Sequence, residues 1–454
     1  MQAHRARHIA LVTLDPIGAR ISGAAIRCLE LARGLSAAGH TVTVATPLLL
    51  PDARPQPFAI HQFDRSDGRA TLLPHLQGCD VVLLPFHALI EFPFLAGLRI
   101  PLVIDLYDPI LFEVLETNKD KPLVTRRRAV RVQTAILNQL LRRGDFFLCA
   151  SERQRDLLLG ALLSVGRIVP LENGDPSFRE LIDVVPFGLA PPPSSLGNTT
   201  PVLKGIHPEI PIGATVLAWG GTLWDWLDPL TPIQAVAVLV ARLPNLHLAF
   251  LGAGRPTDGE TGKAVALQAR ALASKLGVKD RHVHFFEDWI PYERFGRYLR
   301  ECDAGVTTHT HTLESRFAFR TRVLDYLAAE LPIICTAGDV LAELVERERL
   351  GVVVPERDVS ALASAMERVV LDKEFTDGCR ARIREIRPQL AWDRMILPLL
   401  RFCDAPPSPS QQRNRADSRL QAMWQLTCSA WKVLTSQGPR EVLRRVRLHR
   451  KLRA

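Results

Sequence analysis

The stretch ESRFAFRTRVLD, from Glu314 to Asp325, places three arginines, Arg316, Arg320 and Arg322, between two acids. It lies where a strand-like run gives way to a helix, and a cation at a helix N-terminus is disfavoured by roughly a few tenths of a kcal/mol or more. A bound anion reverses that cost. Planar guanidinium groups suit phosphate-like oxygens because they donate in pairs. Thr321, read as the helix cap, would leave the amides that follow it free for the same ligand. The competing reading is that some of these arginines only pair with Glu314 and Asp325. Glycine turns offer backbone to an anion as well. Gly18 and Gly23 lie in GARISGAAIR, after a strand and at the opening of a helix, where close approach and unpaired N–H groups serve an anion or a hydroxyl. The spaced G-x-G-x-x-G fingerprint is absent and no acid closes a ribose site after the second strand, so a nicotinamide cofactor is disfavoured. Gly220, Gly221 and Thr222 end another strand, and Gly252 and Gly254 a further one; a plain strand-to-loop turn competes there. His87 in LPFHALIEFP, with Asp105 and Asp108 in LVIDLYDP, stands at strand ends in apolar surroundings. A carboxylate or imidazole at such a place can orient a hydroxyl or take its proton, although a lone histidine there is also a common core residue. His309 and His311 have no companion acid or thiol at ligand spacing, so no metal site is expected.

These groups need a scaffold, and the chain alternates apolar strand-like runs with helical ones. HIALVTL, TVTVATP, DVVLL, LVIDL, FFLCA and IDVVP in the first half, then TVLAW, LHLAFLG, VHFF, GVTT, IICT and GVVV in the second, read as buried strands of two parallel sheets covered on both faces. The fold class is therefore α/β, with two Rossmann-like doubly wound domains facing a cleft and ligands at strand ends. Between the halves, APPPSSLGNTTPVLKGIHPEIPIGA is rich in Pro, Gly, Ser and Thr and suits a linker rather than a core. The chain has 454 residues, 47% of them hydrophobic and 23% charged, with a net charge of +9. From Pro409 to Ala454 there are eleven Lys or Arg against two acids, so the remainder is formally neutral. No run is long and uninterrupted enough to read as a membrane span or signal peptide. Eight scattered cysteines without a C-x-x-C pair fit reduced thiols in a cytoplasmic protein.

GARISGAAIRCLELARGLSAAGHTVTVATP, CASERQRDLLLG, DVVPFGL, VLAWGGTLWDWLDPLTPIQA, LGAG and ESRFAFRTRVLDYLAAELPIICTAGD, in that order, resemble the family-4 glycosyltransferases, retaining enzymes of the GT-B architecture. The resemblance covers about residues 8 to 402. It implies a nucleotide-diphosphate sugar held by the second domain, an acceptor presented by the first and no tightly bound metal or other cofactor. Counting back from Pro332 places Asp325 at the second of two signature glutamates, a ribose ligand. Glu314 is the nearest acid to the first, about three residues further away than the family spacing. The Arg and Lys that family members carry after the first strand of the nucleotide domain are missing from WGGTLWDWLDP, and Arg316, Arg320 and Arg322 are candidates to replace them at the diphosphate. Trp224 and Trp226, flanking Asp225, suit a sugar face or an interdomain core equally.

The domains implied are 1–189 for the acceptor, 190–213 as linker, 214–385 for the nucleotide sugar, a helix over 386–403 returning to the first domain, and a basic amphipathic tail over 404–454. The expected activity is transfer of a sugar to a surface-polysaccharide or lipid-linked glycan acceptor, the destination coming from the resemblance alone. The tail, with Arg126, Arg127, Arg128 and Arg131 in the first domain, is compatible with the inner face of an anionic membrane. Nucleic acid is the weakest partner, since the basic clusters lack interleaved aromatics. The alternatives are a non-catalytic nucleotide-sugar-binding scaffold and an epimerase on the same architecture.

Overall fold

The structure is a computed structural model that describes residues 6–19, 21–168, 175–189, 200–252, 263–288 and 290–407. The first sheet comprises β1 (His8–Val12), β2 (Thr41–Thr46), β3 (Ala59–Gln62), β4 (Val81–Pro85), β5 (Leu102–Asp105), β6 (Phe146–Cys149) and β7 (Ile182–Val184). Its order is β3-β2-β1-β4-β5-β6-β7, and every pairing is parallel. The short edge strand β3, AIHQ, is half exposed and has no apolar run, which is why the sequence pattern does not reveal it. The second sheet comprises β8 (Thr215–Gly220), β9 (Leu246–Leu251), β10 (Val283–Phe285), β11 (Ala304–Thr307), β12 (Ile333–Thr336) and β13 (Gly351–Val354), in the order β10-β9-β8-β11-β12-β13, again parallel throughout.

The inner strands are apolar on both faces because helices cover both, and that burial is the main stabilising term. Each sheet reverses its lateral progression once, between β1 and β4 and between β8 and β11. Loops leaving the strand ends at such a switch point splay apart and leave a crevice. The crossover after β1 is the helix Gly23–Ala37, whose first turn is capped by Ser22 Oγ accepting from the Ala25 amide at 3.1 Å.

The connection between the halves is folded earlier than its composition suggests. Glu301 accepts the amides of Val202, Leu203 and Lys204 at 2.7, 3.0 and 2.8 Å, and Leu203 and Ile210 are fully buried. A carboxylate that accepts several backbone amides lets a Pro- and Gly-rich segment pack with its polar groups satisfied. After the second sheet the chain crosses back. Leu189 bridges to Ala391, Phe402 stacks on Phe146 at 4.8 Å, and Arg401 pairs with Asp183 at 3.1 Å. A Cβ on Gly188 would lie 2.7 Å from the Trp392 backbone, so only glycine permits this crossing. No helix among the described residues is long and apolar enough to cross a membrane. The basic tail, from residue 408 onward, lies outside the described residues.

Candidate active site

At the switch point of the second sheet, the buried Tyr326 ties two strand ends together. Its hydroxyl accepts from the Gly220 amide at 2.8 Å and donates to Val306 O at 2.9 Å. Gly221 and Gly252 then turn with φ of +78° and +79°, a region that L side chains rarely adopt. A Cβ on Gly252 would lie 3.7 Å from Gly221 Cα, so the two backbones approach each other closely. Arg322 reaches this turn. Its Nη2 donates to Thr222 O at 3.1 Å, its guanidinium stands 5.1 Å from the Trp219 ring centroid, and its buried Nη1 has no hydrogen-bond partner. Burial lowers its pKa to about 10, which leaves it cationic at neutral pH. Asp325 lies one turn further along the same helix, and burial raises its carboxyl to about 7 against the opposing pull of Arg322.

The three arginines of the opening stretch therefore have three different environments. Arg322 meets the glycine turn. Arg320 is buried and grips Glu314 through two hydrogen bonds of 2.9 and 2.6 Å, with Asp339 3.7 Å away. Arg316 is exposed, 5.8 Å from the Phe317 ring. The helix start also differs from expectation. Thr312 caps the short helix Leu313–Phe317 in a capping box with Ser315, and the chain bends before the helix Thr321–Ala328. That second helix has Arg320 at its N-cap position and no side-chain cap, so Thr321 is not the cap.

On the first sheet Asp105 ends β5, and Arg27, from the helix Gly23–Ala37, holds it bidentately at 2.7 and 2.9 Å while also donating to Val185 O at 2.7 Å. The Tyr107 and Phe187 rings lie 4.8 and 5.1 Å from the guanidinium. Asp105 is thus engaged by its own cation, a partner that the sequence reading of it as a group to orient a hydroxyl or take its proton did not include. Asp108, three residues on, makes no such bidentate pair among the described residues, and Arg27 acts on it only through its charge. Burial raises its carboxyl to about 7, opposed by a hydrogen bond from Tyr107, and the charges of Asp105 and Glu314 add to the rise. Glu113, in the helix Ile110–Thr117, is pushed well above the usual carboxylate range by burial first and by Asp108 and Glu314 next. Glu314 is itself raised by burial and restrained by Arg320. Asp108, Glu113 and Glu314 consequently form one electrostatic group contributed by both halves, and Phe112, next to Glu113 in the chain, stacks on Phe317 of the second half at 5.2 Å.

His87 meets Gln133 Oε1 at 3.2 Å and flanks the short helix Ala88–Glu91. Gly18 is in tight contact, since a Cβ there would come within 2.6 Å of Leu50 and Asp52, whereas Gly23 opens its helix with free space around it. Beside them, Ser22 Oγ donates to Asp15 at 2.5 Å. Gly254 lies outside the described residues. His309 is buried, held neutral by burial and by Arg320, with its pKa lowered to about 3; His311 bonds Ala337 O at 2.9 Å. Among the described residues no group of three or more His, Cys, Asp and Glu side chains could hold a metal ion. Trp224 and Trp226 stack on each other at 5.3 Å, and Trp226 is buried in the core of the second domain. The reading of the motifs missed Arg27, Glu113 and Asp339. Arg27 had a signal: it is the lone cation in the helical run AAIRCLELA, apolar apart from Arg27 and Glu30, and a cation buried there must find a partner.

Residues 21–174 match the family described as Glycosyltransferase Family 4, and residues 215–372 match Glycosyl transferases group 1. A D-inositol 3-phosphate glycosyltransferase of Corynebacterium urealyticum is 28% identical over 182 residues, 40% of this chain and 40% of that protein. The chain thus matches about two fifths of the length of this curated relative. Among solved structures, WaaG, a glycosyltransferase involved in lipopolysaccharide biosynthesis, superimposes with a TM-score of 0.59 at 18% identity over 87% of this chain and 98% of its own. Anabaena HepE in complex with UDP and glucose gives a TM-score of 0.60 at 16% identity, over 87% and 99% respectively. With two switch-point sheets facing one cleft and a family match on each half, the chain belongs to the group-1, family-4-like glycosyltransferases of the GT-B architecture.

Proposed function

We propose that the protein transfers a sugar from a nucleoside-diphosphate sugar to a hydroxyl of a surface-polysaccharide or lipid-linked glycan. The observation that carries this reading is Arg322, a half-buried cation whose Nη1, itself buried, is unbonded and which pairs with no carboxylate among the described residues, beside the Gly221 and Gly252 turn. Leaving a charged donor unsatisfied costs about 1–3 kcal/mol or more, which a diphosphate oxygen would return. Asp325 is the group to accept from the ribose hydroxyls, and Gly220, Gly221, Thr222 and Gly252 give the diphosphate close access to backbone. Of the expected substitutes for the missing basic pair, this assigns the role to Arg322 alone, because Arg320 is committed to Glu314 and Arg316 faces solvent.

Asp108 is the acceptor-side group: with a carboxyl near 7 it can exchange a proton with an incoming hydroxyl at neutral pH. Glu314 and Glu113 face the sugar between the two sites. Retention of anomeric configuration and independence from metal follow the family resemblance and belong to the same proposal, as does attachment of the basic tail to the inner face of a membrane. UDP, present in the HepE structure, is the first nucleotide to test. A thermal-shift panel of nucleoside diphosphates and nucleotide sugars reads binding by mass action. A rise in Tm with one nucleotide, lost in Arg322→Met, supports the donor site. No rise with any at millimolar concentration removes it.

A further inference from the structure

A buried amide joins the two halves of the cleft, beside the more exposed contacts of Arg153 and the ring stack of Phe112 on Phe317. Gln154, in the first turn of the helix Glu152–Ser164, is 3% exposed. Its Nε2 donates to Tyr107 O at 2.7 Å in the first domain and to Phe317 O at 2.8 Å in the second. Its Oε1 accepts from the Ala150 amide at 2.7 Å, which fixes the orientation of the side chain. Tyr107 immediately precedes Asp108, and Phe317 lies between Glu314 and Arg320. The neighbouring Arg153 donates to Gly338 O at 3.0 Å and pairs with Glu343, both in the second domain. A primary amide is the side chain that supplies two donors from one nitrogen and an acceptor beside it. Both donors are spent on carbonyls of the loops that carry the reacting groups.

We propose that Gln154 is a positioning residue that latches the cleft shut and sets the spacing of Asp108 and Glu314 across it. The role rests on the transferase reading only for its catalytic consequence; the latch itself is a statement about domain closure. Gln154→Glu retains the size of the side chain and the acceptor for Ala150, but it places a carboxylate against two carbonyl oxygens. Gln154→Ala removes the bridge without adding repulsion, and it keeps the test valid if the charged variant does not fold.

The experiment is small-angle scattering of the full chain and both variants with saturating UDP, alongside transfer or donor-hydrolysis kinetics with UDP-sugars. Both variants are expected to show a larger radius of gyration than the wild type. Their kcat should fall roughly 100-fold, the scale of a misplacement of about 1 Å, while KM for the nucleotide sugar changes by less than about twofold. A purely structural role would lower Tm without that split. Scattering that superimposes on the wild type overturns the latch whatever the activity. Opening with kcat unchanged overturns the positioning role. A wild-type chain that turns over no nucleotide sugar, with variants that still open, supports the latch and sinks the transferase reading.

Discussion

The two switch points of this molecule are built on the same topology and differ in what their cations are left free to do. At the first, Arg27 and Asp105 close a bidentate pair beneath Tyr107, and the charge beyond it belongs to acids, Asp108 and Glu113. At the second, Arg320 and Glu314 make a matching pair, but one further arginine, Arg322, lies beside a glycine turn and pairs with no carboxylate among the described residues; Arg27 and Arg320 each keep an unbonded N–H as well, so the missing carboxylate is what sets Arg322 apart. A paired buried cation is a fixed part of the scaffold, and only the surplus over the pairs can attract a ligand. The surplus is acidic on one side and cationic on the other. That division matches an acceptor that must lose a proton and a leaving group that carries negative charge.

Breaking the pairs has the largest expected effect. Arg27→Ala and Arg320→Ala each strand a buried carboxylate and should cost about 3–5 kcal/mol of stability, read by urea denaturation. The double variant Arg27→Met with Asp105→Leu should recover most of that loss, because it removes both charges together. Recovery would show that the pair is scaffold; its failure would give Asp105 a further role.

Removing the surplus cation acts on binding. Arg322→Met should weaken UDP binding by about tenfold or more, roughly 1.4 kcal/mol, by calorimetry, with little loss of Tm because a desolvated charge is removed with it. Unchanged affinity would erase the difference between Arg322 and Arg320.

A smaller effect separates the acids by pH. Asp108 and Asp325 each have a carboxyl raised from 3.8 to about 7 by burial. The unfolded chain therefore releases these protons first, and the stability each contributes is full below about pH 4 and lost as pH rises through about 7. Asp108→Asn and Asp325→Asn should each increase the unfolding free energy at pH 8 more than at pH 5, by an amount on the order of 1 kcal/mol once access to the open cleft is allowed for, read by urea denaturation at the two pH values. Equal gains at both pH values would place the carboxyls in solvent. Smallest of all, Arg316→Ala should change stability and UDP affinity by less than about 0.5 kcal/mol, as for an ordinary surface site.

Much of the fold could be read in advance because buried parallel strands are continuous apolar runs, and twelve such runs coincide with strands of the two sheets; β3, short and polar, lacked that signal. The glycine turn after β8 was legible for a similar reason, since a strand that ends in two glycines has few other uses. The partners of charged side chains were not. Arg27 and Asp105 are 78 positions apart, and nothing local joins them. Arg316, Arg320 and Arg322 look alike in the chain and differ only through the bend before Thr321.

By itself, then, the order of apolar runs, turns and acids determined the class of fold, the two-domain plan and the loops in which a site must lie, because hydrophobic periodicity and backbone preference act over a few residues. Tertiary structure alone decided which arginines pair with a carboxylate and which meets the glycine turn instead, which acids are drawn together across the cleft, and that Gln154 spans it. Those outcomes depend on burial and on distances between segments far apart in the chain, where a difference of one or two ångströms makes or removes a hydrogen bond.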